Sequence, residues 1–330
     1  MKAKLVVLSM AAVALSMAAV ALAMTGCSND ENEEMDNWNG EIRLSSGLAV
    51  QQVNSTRAAT DIQNGEFAEN EEINVFISEN VSTGQTATTS YPQPLVYTAG
   101  TSGAMTTNNQ PYYPASGNGV NIYAYYPLRA VSSFDAETVD FIVKEDQSSD
   151  AYYKASDLMY GTAANPVERT KENVNITFKH LLSKVTVTLV QGEGKPDMDG
   201  ATVELLNVLP TTTLNPSTGV ISKARGNKTT IKVMTVASGT LSGSAVVVPQ
   251  TLNQEVGGTR RFIKVTLKNG GVLYSKDLMD SNDTPIENIE MAAGYEYKYE
   301  ITVNLTSLGI TSSITKWSSG DSYTGGAEME

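Results

Sequence analysis

Short runs in which apolar and polar residues alternate recur along most of this chain. Such alternation is typical of a strand with one buried face, because successive side chains of a strand point to opposite sides. Beyond the N-terminal segment, no window of comparable length has the spacing of an amphipathic helix. The runs lie at 41–50, 73–77, 122–126, 174–178, 185–189, 203–208, 231–236, 246–248, 263–267 and 295–305. Many short strands at this spacing predict an all-β protein built from sandwiches.

The first of these runs has the most regular pattern. Ile42, Leu44, Leu48 and Val50 fall on one face, and polar or small residues fall on the other, which predicts a half-buried strand. A polar segment with small residues around Arg57 follows, and exposed segments of this kind are where proteolytic nicking concentrates. A strand followed by a cleavable arginine indicates a strand that is meant to be removed.

The segments between the runs are rich in Gly, Asn, Ser and Pro, which are typical of turns and loops. The segment 98–114 is predicted to form a long surface loop. No repeat with a fixed period is present, which argues against a solenoid or a propeller. The length suits two sandwich domains, and we place their join near 180–184, so that 58–180 forms the N-terminal domain and 181–330 the C-terminal domain.

The composition restricts the chemistry that the chain can perform. Among 330 residues, 23 basic and 36 acidic side chains give a net charge of −13, which argues against a nucleic-acid partner because phosphates are bound by clustered Lys and Arg. One histidine, His180, and one cysteine, Cys27, exclude an intramolecular disulfide and a zinc site of Cys and His ligands. Catalysis by Ser, His and Asp would have to use His180, and no Gly-x-Ser-x-Gly motif accompanies it. We expect no enzyme, no metal and no cofactor.

The N-terminal segment has the features of an export signal. Lys2 and Lys4 precede an apolar run at 5–24, which by length alone could be a signal peptide or a transmembrane helix. The tetrad Met24-Thr25-Gly26-Cys27 that follows resembles a bacterial lipobox, with Met where Leu is usual. We therefore predict a lipoprotein signal peptide over 1–26 and lipidation of Cys27, which anchors the precursor to the outer membrane.

The residues after Cys27 agree with the prediction of an exported, lipid-anchored protein. Acidic and solvated, the stretch 28–34 cannot pack against a core and is expected to act as a tether. It resembles the export tag of lipoproteins that reach the outer face of the outer membrane. A flexible spacer that carries no export signal is the alternative.

Three other features carry little chemistry. We expect His180 to be a core or domain-join histidine that is hydrogen-bonded to the backbone. The phrase Asp197-Met198-Asp199-Gly200 lacks the twelve-residue ligand pattern of a calcium loop and is interpreted as a turn. A group of tyrosines could line a sugar-binding surface or could equally pack under strands and loops. They are Tyr91, Tyr97, Tyr112 and Tyr113.

Five short phrases are spread over nearly the whole chain. They are Ser55-Thr56-Arg57-Ala58, Ile122-Tyr123-Ala124-Tyr125-Tyr126-Pro127, Asp157-Leu158-Met159-Tyr160-Gly161, Phe178-Lys179-His180-Leu181-Leu182-Ser183-Lys184-Val185 and Ile314-Thr315-Lys316-Trp317. In this order, and behind a lipoprotein leader, they resemble the fimbrillin family, the type V pilus subunits of Bacteroidales. The resemblance implies two transthyretin-like β-sandwich domains in tandem, a lipidated precursor, and trimming by a trypsin-like protease after Arg57, so that Ala58 becomes the new N-terminus and 27–57 is a propeptide.

Physical chemistry gives a reason for the trimming. Removing the strand at 41–50 would expose an apolar groove with unpaired backbone groups on both sides, which is unfavourable in water and ready to accept another strand. A strand from the next subunit can fill it by β-augmentation, and a contact that does not close on itself produces a filament. The expected partners are other pilin subunits, in a homopolymer or a heteropolymer, in a cell-surface fimbrium that supports adhesion.

The donor strand is predicted in the C-terminal segment 307–330. Ile310 and Ile314 share a face, and with Trp317 they form the candidate donor strand. The tail beyond Trp317 is polar and acidic, which departs from a good donor and leaves a tip, anchor or accessory subunit as an alternative. A surface lipoprotein that binds host or bacterial glycans or proteins and never polymerises is a second alternative.

Overall fold

The structure is a computed structural model that describes residues 38–48, 67–129, 138–237, 239–253, 262–275 and 288–305, with the backbone of 308–316 and 322–325. Several predicted features lie outside the described residues. They are the signal peptide, Cys27, the acidic tether, Val50, Arg57, Ala58 and Trp317. Those features stay predictions.

Almost all regular structure in the described part of the chain is strand, which confirms the all-β expectation. The exceptions are a 3₁₀ turn at Thr101–Gly103 and the short helix α1 at Asp150–Lys154. Within these residues, no helix has the length and apolar character needed to cross a membrane. In chain order the strands are β1 (Leu44–Leu48), β2 (Glu72–Glu79), β3 (Leu95–Ala99), β4 (Ala104–Thr106), β5 (Val120–Tyr126), β6 (Val139–Ile142), β7 (Met159–Thr162), β8 (Val174–His180), β9 (Ser183–Gln191), β10 (Thr202–Val208), β11 (Thr211–Asn215), β12 (Val220–Ile221), β13 (Thr229–Thr235), β14 (Ser242–Val247), β15 (Gln250–Asn253), β16 (Ile263–Thr266), β17 (Val272–Tyr274), β18 (Asn288–Met291), β19 (Tyr295–Val303), β20 (Leu308–Lys316) and β21 (Ser322–Gly325).

Seven of these strands form a closed ring in the order β1, β4, β3, β2, β5, β7, β8 and back to β1. Strands β2 and β5 are antiparallel neighbours over six residue pairs, and β7 joins β5 to β8. The alternation read from the sequence places one set of side chains inside the ring, where they are buried. This first core includes Leu44, Leu48, Ile73, Val75, Ile77, Ile122, Ala124, Val174, Ile176 and Phe178.

The remaining strands surround a second core. They form a five-stranded sheet (β14, β9, β19, β20, β21), a four-stranded sheet (β13, β10, β16, β17), a three-stranded sheet (β12, β11, β6) and the pair β15 and β18. The parallel pair β9 and β19 lies in the middle of the five-stranded sheet. Phe76 and Tyr125, on the outer side of the ring, belong to this second core, with ring centroids 5.9 Å apart.

The chain passes from the ring to the second core near the predicted domain join. Strand β8 ends at His180, and β9 begins at Ser183 in a different sheet. One strand that precedes the join, β6, pairs with β11 and contributes Val139 and Phe141 to the second core. The division of the chain at 180 stays a prediction.

The expectation of one long loop over 98–114 was wrong. Strand β3 continues to Ala99, the 3₁₀ turn follows, and β4 occupies Ala104–Thr106. These strands are short because their pairing is limited, with only Thr98 opposite Thr106 and Ala99 opposite Met105 between β3 and β4. A strand of three residues has too few positions to show alternation, so it is recognised only by its pairing with neighbouring strands.

Candidate functional site

Strand β1 closes the ring because it hydrogen-bonds with a strand on each side. It runs parallel to β8, with Leu44 opposite Val174 and Leu48 opposite Phe178. It runs antiparallel to β4, where Leu44 lies opposite Met105. Without β1, strands β4 and β8 would each present an unpaired edge, and the ring would be open at this one place.

The alternation predicted for this segment is present wherever the structure describes it. Ile42 is 0% exposed, Leu44 3% and Leu48 8%, whereas the side chain of Arg43 is 48% exposed. Burial of each aliphatic side chain contributes about 2 kcal/mol. The inward side chains of this segment therefore complete the apolar core inside the ring.

The inward position between Leu44 and Leu48 is a serine, which the alternation of apolar residues did not single out. Ser46 is 7% exposed and lies opposite the fully buried Ile176. Its hydroxyl donates to the carbonyl oxygen of Gly103 at 3.4 Å. Gly103 has a φ of 75°, and a Cβ added there would lie 2.5 Å from the carbonyl oxygen of Ser46. The 3₁₀ turn thus lies directly against the backbone of β1, which requires glycine at position 103. The Ser46 hydroxyl points at the same turn, which leaves little room for a longer side chain at this buried position.

The residues just before β1 are held by the segment that follows β4. The amide of Ile42 donates to the carbonyl oxygen of Pro111 at 2.9 Å, and the amide of Tyr113 donates to the carbonyl oxygen of Gly40 at 2.8 Å. The side-chain amide of Gln110 donates to the carbonyl oxygen of Ile42 at 2.8 Å. These bonds extend the attachment of β1 beyond its strand boundaries.

An aromatic contact secures the first described residue. The guanidinium of Arg169 lies 4.7 Å from the centre of the Trp38 ring, and Tyr113 meets the same ring edge-on at 6.3 Å. The indole N–H of Trp38 donates to the carbonyl oxygen of Glu41 at 3.1 Å. Any process that removes β1 must also break this cation–π contact.

The C-terminal segment that was predicted as a donor lies in the five-stranded sheet of its own chain. Strand β20 pairs antiparallel with β19, where Ile310 lies opposite Ile301 and Ile314 opposite Tyr297. Strand β21, from the polar tail, pairs with the other side of β20. The predicted donor residues Ile310 and Ile314 are therefore in a strand, and their role as donors stays a prediction.

The four tyrosines considered for a sugar-binding surface do not form one exposed group. Tyr91, Tyr97 and Tyr113 are buried, and only Tyr112 is exposed, at 47%. Burial is also the main cause that raises the pKa of Tyr91 to about 12. Packing inside and beside the ring accounts for the three buried rings.

The side chain of His180 is buried at the end of β8, as expected, and it contacts a carboxylate. Its Nδ1 lies 2.8 Å from Oδ1 of Asp157, and both side chains are largely buried. Asp157 follows helix α1, so this contact fastens the helical segment to the last strand of the ring. Asp197, from the predicted turn, accepts a bond from the amide of Asp199 at 3.0 Å, which is typical of an Asx turn.

Sequence reasoning missed a carboxylate that fixes two loops. Glu79, the last residue of β2, accepts hydrogen bonds from the amides of Thr88 and Thr89 at 2.6 and 2.8 Å. It also accepts bonds from the Ser116 hydroxyl at 2.6 Å and the Asn118 side-chain amide at 2.8 Å. These bonds, that of Ser116 above all, lower the pKa of Glu79 to about 2 against the opposing effect of desolvation. A glutamate at the end of a strand carries no sequence signal for such a role, although Glu79 is only 5% exposed in the fold.

Comparison with known families identifies the relatives of this chain. A model of the family described as fimbrillin-like matches residues 56–317. The chain belongs to the fimbrillin-like family. The match begins one residue before Arg57 and ends at Trp317, so it covers the ring strands β2 to β8 and the strands of the second core as far as β20, but not β1. It confirms the resemblance seen in the sequence.

Individual relatives agree with this assignment. A Bacteroides uniformis protein named "Putative fimbrium subunit Fim1C" is 26% identical over 223 residues, which are 66% of this chain and 68% of that protein. A crystal structure of a "putative cell adhesion protein" from Bacteroides ovatus is 16% identical with a TM-score of 0.64, covering 84% of this chain and 97% of that one. A second, from Bacteroides uniformis, is 19% identical with a TM-score of 0.60, covering 84% and 98%. The two structures share the fold of this fimbrillin-like chain.

Membership of the fimbrillin-like family supports a role as a fimbrial subunit that assembles with other pilin subunits in a cell-surface fimbrium. The family is one of structural fimbrial proteins and not a family of enzymes.

Proposed function

We propose that this chain is the lipoprotein precursor of a structural subunit of a cell-surface fimbria. In this proposal, lipidated Cys27 anchors the precursor to the outer membrane, and a trypsin-like protease cleaves between Arg57 and Ala58. The observation that carries the proposal is the position of β1. This strand closes the ring, and it precedes Arg57 in the chain, so one cut separates it covalently from the rest of the ring.

Loss of β1 would create the assembly site. The edges of β4 and β8 would have unpaired N–H and C=O groups, and the inward side chains Val174, Ile176 and Phe178 would be open to water along that slot. Both effects are unfavourable, and a strand of another subunit relieves both at once. The slot and the donor lie on different parts of the subunit, so repetition gives an open filament.

The donor in this proposal is the C-terminal segment 307–330 with Ile310, Ile314 and Trp317. Strand β20 must leave β19 before it can enter another subunit, because a strand cannot pair in both places. The polar tail forms β21 against β20 in the described chain, so its polarity does not prevent strand formation. We propose a polymerising subunit, and a tip or accessory position is the alternative outcome of the test.

The proposal is tested with purified precursor that lacks the lipid. After treatment with a trypsin-like protease, we expect N-terminal sequencing to find Ala58 and electron microscopy to find filaments, with detergent-resistant ladders on gels. An Arg57→Gln precursor is the control and is expected to remain monomeric. Cleaved protein that has lost residues 41–50 and still remains monomeric would contradict a polymerising role.

A further inference from the structure

The inward face of β1 has a specific order of side-chain sizes. Ile42 and Leu44 are large and apolar, Ser46 is small, and Leu48 is large and apolar again. At the small position the Ser46 side chain is buried and its hydroxyl lies 3.4 Å from the carbonyl oxygen of Gly103, so a longer side chain there would meet the 3₁₀ turn. A strand that replaces β1 must therefore present the order large, large, small, large at alternate positions.

The same order occurs once more in strand β20, in the same direction of the chain. The segment that ends with β1 is Ile42-Arg43-Leu44-Ser45-Ser46-Gly47-Leu48, and the matching segment of β20 is Leu308-Gly309-Ile310-Thr311-Ser312-Ser313-Ile314. All four alternate positions agree in size and polarity, including serine at the small position. The residues between them are small or polar in both segments.

Shifted registers of β20 in the slot do not preserve this agreement. A shift of two residues in one direction places Ile314 at the site of Ser46, and a shift in the other direction places Ile310 there. A shift of one residue turns every apolar side chain outward. Each alternative conflicts with the small site or with the apolar core.

Reversal of the strand fails as well. If the reversed strand keeps Ser312 at the small site, Lys316 reaches the site of Ile42, which is 0% exposed. Burial of an unpaired ammonium group in an apolar core is strongly unfavourable. Only one register and one direction satisfy all four positions.

We infer that β20 from a second copy of this chain enters the slot parallel to β8, with Leu308, Ile310, Ser312 and Ile314 at the sites of Ile42, Leu44, Ser46 and Leu48. This inference rests on the proposed function and adds the partner, the direction and the register. It makes the chain complementary to itself, since slot and donor belong to the same sequence.

The register assigns neighbours that an engineered disulfide can report. In the ring, Ser45 of β1 lies opposite Ala104 of β4 in an antiparallel pair, and Ala104 is exposed. Thr311 of the donor takes the place of Ser45, so Thr311→Cys and Ala104→Cys on two different copies should come within disulfide distance. The mature chain from Ala58 onward has no other cysteine, because the one cysteine of the sequence is Cys27.

The experiment mixes precursor carrying Thr311→Cys with precursor carrying Ala104→Cys, both with Cys27→Ser, cleaves after Arg57 and then oxidises. We expect an intermolecular disulfide between the two copies. The matched control replaces Thr311→Cys with Ser313→Cys, which lies two residues further along the same strand and should give no disulfide. Filaments that form a disulfide through position 313 and not through 311 would overturn the register.

A second pair of substitutions asks whether β20 is the strand that moves. Thr311 lies opposite Glu300 in its own chain, so Glu300→Cys with Thr311→Cys should lock β20 onto β19. Oxidised, this variant should lose assembly after cleavage and regain it on reduction, whereas Glu300→Cys alone should assemble in both states. Unchanged assembly of the locked variant would overturn the inference even if wild-type filaments form. Failure of the wild-type chain to assemble after clean removal of β1 would instead contradict the proposed function.

Discussion

Glu79 illustrates how one side chain can organise loops that are far apart in sequence. Its carboxylate accepts hydrogen bonds from four residues, 88, 89, 116 and 118, which belong to two separate connections between strands. Several donors around one carboxylate favour the ionised form, which is why the pKa falls to about 2. The loops at this end of β2 therefore depend on a charge.

The first prediction concerns pH. A carboxyl whose pKa is lower in the folded state stabilises the fold above the unfolded pKa of about 4.3, and this contribution is lost as the pH falls towards 2. Glu79→Gln should therefore lower the free energy of unfolding at neutral pH, and the difference from wild type should shrink on acidification. Urea unfolding at several pH values measures it, with exposed Glu69→Gln as the control. A difference that does not change with pH would contradict the assignment.

The second prediction concerns a buried ion pair. Lys184 is 2% exposed, and its Nζ lies 3.5 Å from Oε1 of Glu296 in the middle of the five-stranded sheet. Glu296→Gln keeps the shape but removes the carboxylate charge beside the buried ammonium, so we expect a loss of about 3 kcal/mol in the free energy of unfolding. The double variant Lys184→Met with Glu296→Gln should recover a large part of that loss. If the single and double variants unfold at the same denaturant concentration, the charge of Lys184 is not the cause.

At the scale of elements, β1 is a short strand whose contribution comes from its inward face. Leu44→Ala in the uncleaved precursor should lower the free energy of unfolding by about 3 kcal/mol, because it leaves a cavity in the first core. Arg43→Ala should change it by less than about 1 kcal/mol, because its ion pair with Glu41 is exposed to solvent. Chemical denaturation of both variants measures the contrast. Equal losses would mean that the strand is held by its backbone alone.

The elements also show what local pattern can and cannot predict. Strands β2, β8, β9 and β19 were predicted because each has several alternating positions with one buried set. Strands β4, β7, β12 and β17 were not predicted, since they have two to four residues each. Such strands exist because a neighbouring strand supplies their hydrogen bonds, and this neighbour is close in sequence for β12, which pairs with β11, and distant for β4 where it pairs with β1.

For the whole molecule, removal of β1 should affect the two cores differently. Once β1 leaves, the backbone amides of β8 lose one neighbour, and we expect their hydrogen exchange to accelerate. Strand β9 lies between β14 and β19 and does not pair with β1, so its amides should keep their protection against hydrogen exchange. Exchange followed by mass spectrometry on precursor and cleaved monomer, with Arg57→Gln as the uncleaved control, measures both. Equal acceleration in β8 and β9 would mean that the two cores open together.

The amino-acid sequence by itself determined the strand-rich class, the apolar face of residues 42 to 48, and the family to which the chain belongs, because period-two alternation and short phrases are local properties. The predicted lipidation of Cys27 and the predicted cleavage after Arg57 rest on the sequence alone. Only the tertiary structure decided that β1 lies between β4 and β8, that the 3₁₀ turn contacts Ser46, and that Glu79 joins two loops. Those facts depend on which distant segments meet, and strand pairing is selected by the packing of the whole core and not by any one segment.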